Sequence, residues 1–173
     1  MQVMECSVPS GSMITRDLAG NSYFEDAYLM PLIDPGRSMS DIFIVVFGHK
    51  PLGIKLLLIA RSAAARIAGL EVPTVAEIMN PTFKADYRVG EKIGPWPIFF
   101  LGENEIVAGR NNRHIDFRVS VLKRVDGEEA SVVVSTVCTV HNLFGKIYLF
   151  MIGPFHRNGV QLLMANAIRA KRI

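Results

Sequence analysis

Three short stretches of this sequence carry side chains able to move protons or hold polar groups. From His114 to Arg124 the residues alternate in type: Ile115, Phe117, Val119 and Val121 are apolar, and His114, Asp116, Arg118 and Ser120 are polar. An extended strand sends alternate side chains to opposite faces, so His114, Asp116 and Arg118 share one face. Asp116 can then orient His114 for proton transfer, or the three heads can grip a polar ligand group. The alternation favours a plainer reading, a solvated sheet face with cross-strand ion pairs. His141-Asn142 stands at a strand-to-helix junction. There His141 can serve as acid or base near neutral pH, although capping chemistry alone is the simpler account. His156-Arg157 follows Pro154. A proline kink would aim both side chains at a ligand, but a polar pair on the outer face of a terminal helix is commoner.

Other chemistries are set aside on spacing. His114, His141 and His156 show no local ligand pattern such as His-x-x-x-His, so no metal site is expected. Gly90 to Gly94 lacks the strand-loop-helix setting and the Gly-Lys-Ser/Thr of a phosphate loop. No Gly-x-Ser-x-Gly elbow is present. Cys138 sits in a valine-rich run and reads as a small buried residue. Cys6 lies in a loose lead-in, and no disulfide between the two is expected. No cofactor is implied.

The 173 residues fit one domain. Half of them are hydrophobic and mean hydropathy is +0.27, which asks for a large core, an apolar cavity, or an apolar partner. The greasiest run, Ile42 to Ala60, is interrupted by His49, Lys50, Pro51, Gly53 and Lys55, so no membrane span is expected. The opening Met-Gln-Val-Met-Glu is unlike a signal peptide, and the expected compartment is the cytoplasm. Net charge is +3 and pI about 9.0, but no basic stripe with interleaved aromatics occurs, which argues against nucleic acid.

The elements that must position these residues follow from pattern. Residues 1–22, with Pro9, Gly11 and Gly20, form a loose N-terminal segment, and residues 23–173 form a single domain. Ala27 to Leu32 is a first strand, ended by Asp34-Pro35-Gly36. Ser38 and Asp41 open a helix over Asp41 to Phe47. Pro51 opens a second, running to about Ala68 with a C-cap at Gly69. Its polar residues Lys55, Ser62 and Arg66 form a narrow stripe, which leaves a broad apolar surface to be buried. Thr74 and Glu77 form a capping box for a short helix. The chain from there to Pro97 reads mainly as loop. Ile98 to Leu101 and Glu105 to Ala108 form a hairpin. His114 to Arg124 and Ala130 to Val140 are strands joined at Asp126-Gly127, the second one covered on both faces. Asn142 caps a long terminal helix kinked at Pro154, with Phe144, Tyr148, Met151, Phe155 and Leu162 as its apolar stripe.

The order predicts an α+β fold in which an antiparallel sheet wraps a long C-terminal helix, with two helices after the first strand. The stretches RHIDFRVSV (Arg113 to Val121) and TVHNLFGKIYLFMIGPFHR (Thr139 to Arg157) resemble a bacterial family known only as a domain of unknown function. Members of that family also occur fused behind short-chain dehydrogenase or epimerase-like reductases. The resemblance implies a helix-grip fold of the START and polyketide-cyclase-like superfamily (SRPBCC). It implies no activity, and a reductase partnership would have to be in trans.

A gap between sheet and helix would be an apolar pocket. Trp96, Phe99, Phe117, Tyr148, Met151 and Phe155 are its candidate lining, and His114, Asp116, Arg118 and His141 its candidate polar contacts. Three functions follow. The first is binding of a small apolar or amphipathic molecule, such as a lipid, isoprenoid or polyketide-like compound. The second is a cyclase- or dehydratase-like enzyme using His114, Asp116 or His141 as acid or base. The third is an interaction protein, as a homodimer or beside a reductase, with peripheral membrane contact through Leu52 to Ala60 as a variant.

Overall fold

A computed structural model describes residues 2–17, 22–67, 72–127 and 129–173. In chain order these form β1 (Met4–Glu5), α1 (Met13–Asp17), β2 (Phe24–Pro31), α2 (Met39–Phe47), α3 (Leu52–Ile67) and α4 (Val75–Met79). Then come β3 (Lys92–Ile93), β4 (Trp96–Leu101), β5 (Glu105–Asn111), β6 (Ile115–Asp126), β7 (Glu129–Val140) and α5 (Leu143–Arg169). The architecture is α+β. One open sheet of seven antiparallel strands, in the order β1-β2-β7-β6-β5-β4-β3, carries a long C-terminal helix, with short helices after β2.

Local chemistry accounts for most of the boundaries. The Ser38 hydroxyl accepts from the Asp41 N–H to cap α2. Thr74 and Glu77 complete a reciprocal capping box on α4. The Asn142 side chain accepts from the Gly145 N–H to start α5. Gly127, at φ +60°, turns β6 into β7. The C-cap expected at Gly69 lies outside the described residues. Between α4 and Pro97 the chain is not all loop, since Lys92 and Ile93 pair with Pro97 and Trp96. Pro154 sits inside α5, and the helix continues through it to Arg169.

Registers set the inner face in rows. Phe24 pairs with Cys138, which pairs with Phe117; below them run Asp26–Thr136–Val119, then Tyr28–Val134–Val121. Against these rows pack Ile42, Phe43, Val46 and Phe47 of α2, and Val160, Leu163, Met164 and Ala167 of α5. The opposite face is covered as well. The N-terminal segment expected to be loose is tied down here. Met4 and Glu5 pair with Leu29 and Tyr28, and Ser12 and Ile14 are fully buried. The Glu105 carboxylate accepts from the Met13 N–H at 2.8 Å and from the hydroxyls of Ser12 and Ser120. The solvated face expected for His114, Asp116, Arg118 and Ser120 is therefore corrected at two positions. Ser120 is buried because the chain before β2 lies over it, and Arg118 is buried with its guanidinium over the Phe99 ring.

Two helices face the other way from expectation. On α5 the buried residues are Gly145, Leu149, Gly153, Val160, Leu163, Met164 and Ala167. Phe144, Met151, Phe155 and Leu162 of the expected inner stripe are exposed. On α3 two residues of the polar stripe, Lys55 and Ser62, turn toward the protein, and Arg66 stays exposed. Ser62 is buried, and the Lys55 ammonium donates to the Met79 carbonyl at 2.8 Å, while Leu52, Leu56 and Leu57 are exposed. Close approach explains the start of α5, where a Cβ on Gly145 would lie 2.4 Å from the His114 carbonyl oxygen and 2.7 Å from Val140 Cγ1. Gly145→Ala is expected to cost about 2–3 kcal/mol. Gly159→Ala, where an added Cβ meets nothing within 4 Å, should instead gain roughly 0.5–1 kcal/mol. Urea unfolding of both variants checks the contrast, and equal effects would contradict it.

Candidate functional site

The polar candidates resolve into separate pairs. Asp116 does not orient His114. Its Oδ2 lies 3.1 Å from Nε2 of His141, and its Oδ1 accepts from the Asn112 N–H at 3.1 Å. The reason is register: Asp116 stands opposite Thr139 on β7, so the strand end brings the next residues of that chain to it. The carboxylate fixes one imidazole nitrogen, and with His141 exposed this pair can exchange protons with solvent. His114 turns to the Asn142 side chain, 3.1 Å from its Oδ1, and lies beside the Phe144 ring.

A third pair is buried. His156 descends from α5 onto the middle row of the sheet, with Nε2 3.1 Å from Thr136 Oγ1 and 3.6 Å from Asp26 Oδ2. The Asp26 side chain is 1% exposed, and neither of its oxygens has a hydrogen bond. His156 is thus not on an outer face. It is the only ionisable side chain that contacts this carboxyl group among the described residues. Nearby, burial foremost, then the Asp26 charge, pushes the Cys138 thiol up to about 12, which keeps it protonated and inert.

The apolar candidates do not converge on one cavity. Trp96 and Phe117 meet edge to face with centroids 5.8 Å apart, and Phe43 and Phe47 complete the knot around Trp96. A void beside it, lined by Phe43, Phe47, Trp96 and Lys50 among others, measures about 10 Å³, the size of a single water. Phe99 lies at a register shift in β4 and carries the Arg118 guanidinium 3.5 Å from its ring centroid. Tyr148 is capped by Arg61 of α3 at 5.7 Å. Met151 and Phe155 face outward.

The Leu52 to Ala60 surface was expected as a variant with peripheral membrane contact; what was missed is that α5 leaves apolar side chains exposed as well. Phe150 is 84% exposed, Met151 65% and Leu52 62%; Leu56, Leu57, Leu143, Ile147 and Phe155 are also exposed. The Arg61–Tyr148 contact joins the two helices across this surface. Neither helix holds an Asp or Glu, and between them they carry Lys55, Arg61, Arg66, Lys146, Arg157 and Arg169. No single helix is long and apolar enough to cross a membrane among the described residues. α2 and α3 together pass that test but meet at 87°, and the apolar residues of α2 belong to the core. No group of three or more His, Cys, Asp or Glu side chains able to hold a metal ion occurs among the described residues.

Residues 18–162 match a family model described as "Protein of unknown function (DUF2867)". No curated protein matches the chain.

Two predictions follow from the buried charges. His156→Ala leaves the buried Asp26 carboxyl group without its one polar neighbour and is expected to lower stability by roughly 1–3 kcal/mol. Replacing both, Asp26→Leu with His156→Leu, should recover most of that loss. Unfolding midpoints decide it, and a single variant within 0.5 kcal/mol of the parent would refute the pairing. Lys50 is pulled down to about 8, chiefly by burial and then by Lys55. Below pH 8 it is charged in both states, so the folded state carries the full desolvation cost. Between about pH 8 and 10.5 the unfolded chain binds more protons, so stability rises with pH across that window. Lys50→Met should flatten this rise and add about 2 kcal/mol at neutral pH, read from unfolding free energies at several pH values.

Proposed function

Since the chain belongs to the DUF2867 family, whose description carries no activity, we propose a function from its own geometry: it binds anionic amphipathic lipid at a bilayer surface. The binding face is the outer side of α3 and α5. The observation that carries this reading is the orientation of α3, which turns Lys55 and Ser62 toward the protein and Leu52, Leu56 and Leu57 toward solvent. Exposed apolar residues in such number mark a surface meant for an apolar partner. The charge chooses among partners. A basic, acid-free helical face suits anionic headgroups, with apolar side chains entering the acyl boundary and Lys/Arg heads at the phosphate level. A second copy of this chain docked on the same face would bring Arg61, Lys146 and Arg157 to two helices that hold no Asp or Glu to pair with them.

The ligand class expected from sequence is kept, and its place is moved. Of the ten candidate residues, Tyr148, Met151 and Phe155 lie on or beside this face. Trp96 and Phe117 instead build the core knot behind it. The helix-grip kinship belongs to the same proposal, with the sheet holding the inner side of α5 and leaving its outer side free.

The test is co-sedimentation with vesicles of phosphatidylserine in phosphatidylcholine, against phosphatidylcholine alone. The protein should pellet with the anionic vesicles, and less so at high salt. Leu56→Ser with Phe150→Ser and Met151→Ser should leave it in the supernatant. Its thermal midpoint should stay close to the parent's, because exposed positions contribute little to stability. A parent protein that stays in the supernatant with both vesicle types overturns the proposal.

A further inference from the structure

A second site lies at the C-terminal end of α3. Arg66 from the last turn of α3, Lys92 of β3 and Arg110 of β5 line one open groove of about 600 Å³, together with Val72, Thr74, Val75 and Glu77. That size falls within the roughly 300–1,000 Å³ of small-molecule sites. Two of the three cations are held in place. Arg110 Nη2 donates to the Pro95 carbonyl at 2.8 Å, and Arg66 Nη2 to the Pro73 carbonyl at 3.3 Å. Each guanidinium keeps further N–H groups for a ligand.

The one carboxylate among the described lining residues is already committed. Glu77 accepts from the Thr74 N–H at 2.8 Å and from the Thr74 hydroxyl at 2.9 Å. The Thr74 backbone bond, foremost, holds it below the usual carboxylate range, and Lys92 and Arg110 add to that. The field of those two cations therefore reaches into the groove. Among the described lining residues, three cations less one carboxylate leave a balance of +2 (3 − 1). A phosphate monoester carries about −1.5 to −2 near neutral pH and offers three oxygens, which suits cations arriving from three separate elements. Val72 and Val75 supply an apolar wall that a bare phosphate would not use.

We infer that this groove binds a small organic phosphate, its oxygens held by Arg66, Lys92 and Arg110 and its apolar body laid on Val72 and Val75. None of these lining residues is among the exposed apolar residues of the lipid face, so the two sites can be tested separately.

Calorimetric titration of the full chain with phenyl phosphate, inorganic phosphate and phenol tests it. Phenyl phosphate does not form micelles at working concentrations, so its signal is separable from membrane-like association. It should bind saturably and more tightly than inorganic phosphate, and phenol should give no saturable signal. Lys92→Gln and Arg110→Gln should each weaken phenyl phosphate at least tenfold. Arg110→Gln also removes the bond to Pro95, so Lys92→Gln, at an exposed side chain, is the decisive variant. The Leu56→Ser, Phe150→Ser and Met151→Ser variant should keep full affinity, which separates failure of this site from failure of the lipid face. Absence of saturable phenyl phosphate binding by the parent, or an unchanged affinity in Lys92→Gln, overturns the assignment. Equal affinities for phenyl phosphate and inorganic phosphate overturn its apolar half.

Discussion

Strand β7 has partners on both edges and cover on both faces. It pairs with β2 through eight residues and with β6 through twelve. From Val132 to Cys138 no residue is exposed. A strand so placed cannot shift by one residue without sending its whole inner set to the other face. The rows beneath α2 and α5 are thereby fixed, and so is the seat of the N-terminal segment on the far side. Valine and threonine are suited to this position, since a branched Cβ packs well on a pleated surface. Because β7 and its neighbours fill both layers, the core is complete without the outer sides of α3 and α5. Those sides are therefore free to serve a partner rather than the fold.

Polar residues punctuate the two layers. Glu105 is satisfied by Ser12, Met13 and Ser120, and so fastens the first residues of the chain across the sheet. Asp26 is different: it sits between the large inner cluster and the smaller one of Ile115, Cys138 and Leu149, with His156 as its counterpart. A buried carboxylate facing one histidine contributes little net stability, because desolvation offsets the attraction. What it supplies is position. Only one rotation of α5 brings His156 over the row of Asp26 and Thr136. That rotation puts Met151 and Phe155 outward.

Much of the fold was legible because its signals are local. Ser38, Thr74 and Asn142 each precede their helix by capping chemistry that needs no tertiary partner. The alternation in β6 and the valines of β7 state their own exposure. Long-range signals were harder to read. Nothing near Ser12 in sequence announces Glu105, some 93 residues away. Asp26 did carry a usable sign: it interrupts Phe24, Tyr28 and Met30, whose alternation marks an inward face. A polar residue at such a position requires a partner, and His156 could have been sought on that ground. Asp116 was grouped with His114 because the two share a strand face in sequence. Which neighbour a carboxylate chooses depends on the register of the next strand, and periodicity does not contain it.

Orientation of the two outer helices failed for a more general reason. A helical stripe of apolar residues says that one side must leave water, and it does not say what will cover it. For α3 the usual assumption assigns the leucines to the core. Yet Lys55 finds the Met79 carbonyl and Ser62 is buried on the side where the protein lies. With those two turned inward, the leucines are left outside. The composition had already limited the answers to a large core, a cavity or an apolar partner. With the core closed around β7 and the void beside Trp96 only about 10 Å³, the surplus hydrophobicity has gone to the surface. Its cationic, acid-free setting then distinguishes among partners. A neutral apolar protein surface would leave Arg61, Lys146 and Arg157 at the rim without counterions, whereas an anionic bilayer presents both the acyl layer and the charge they need.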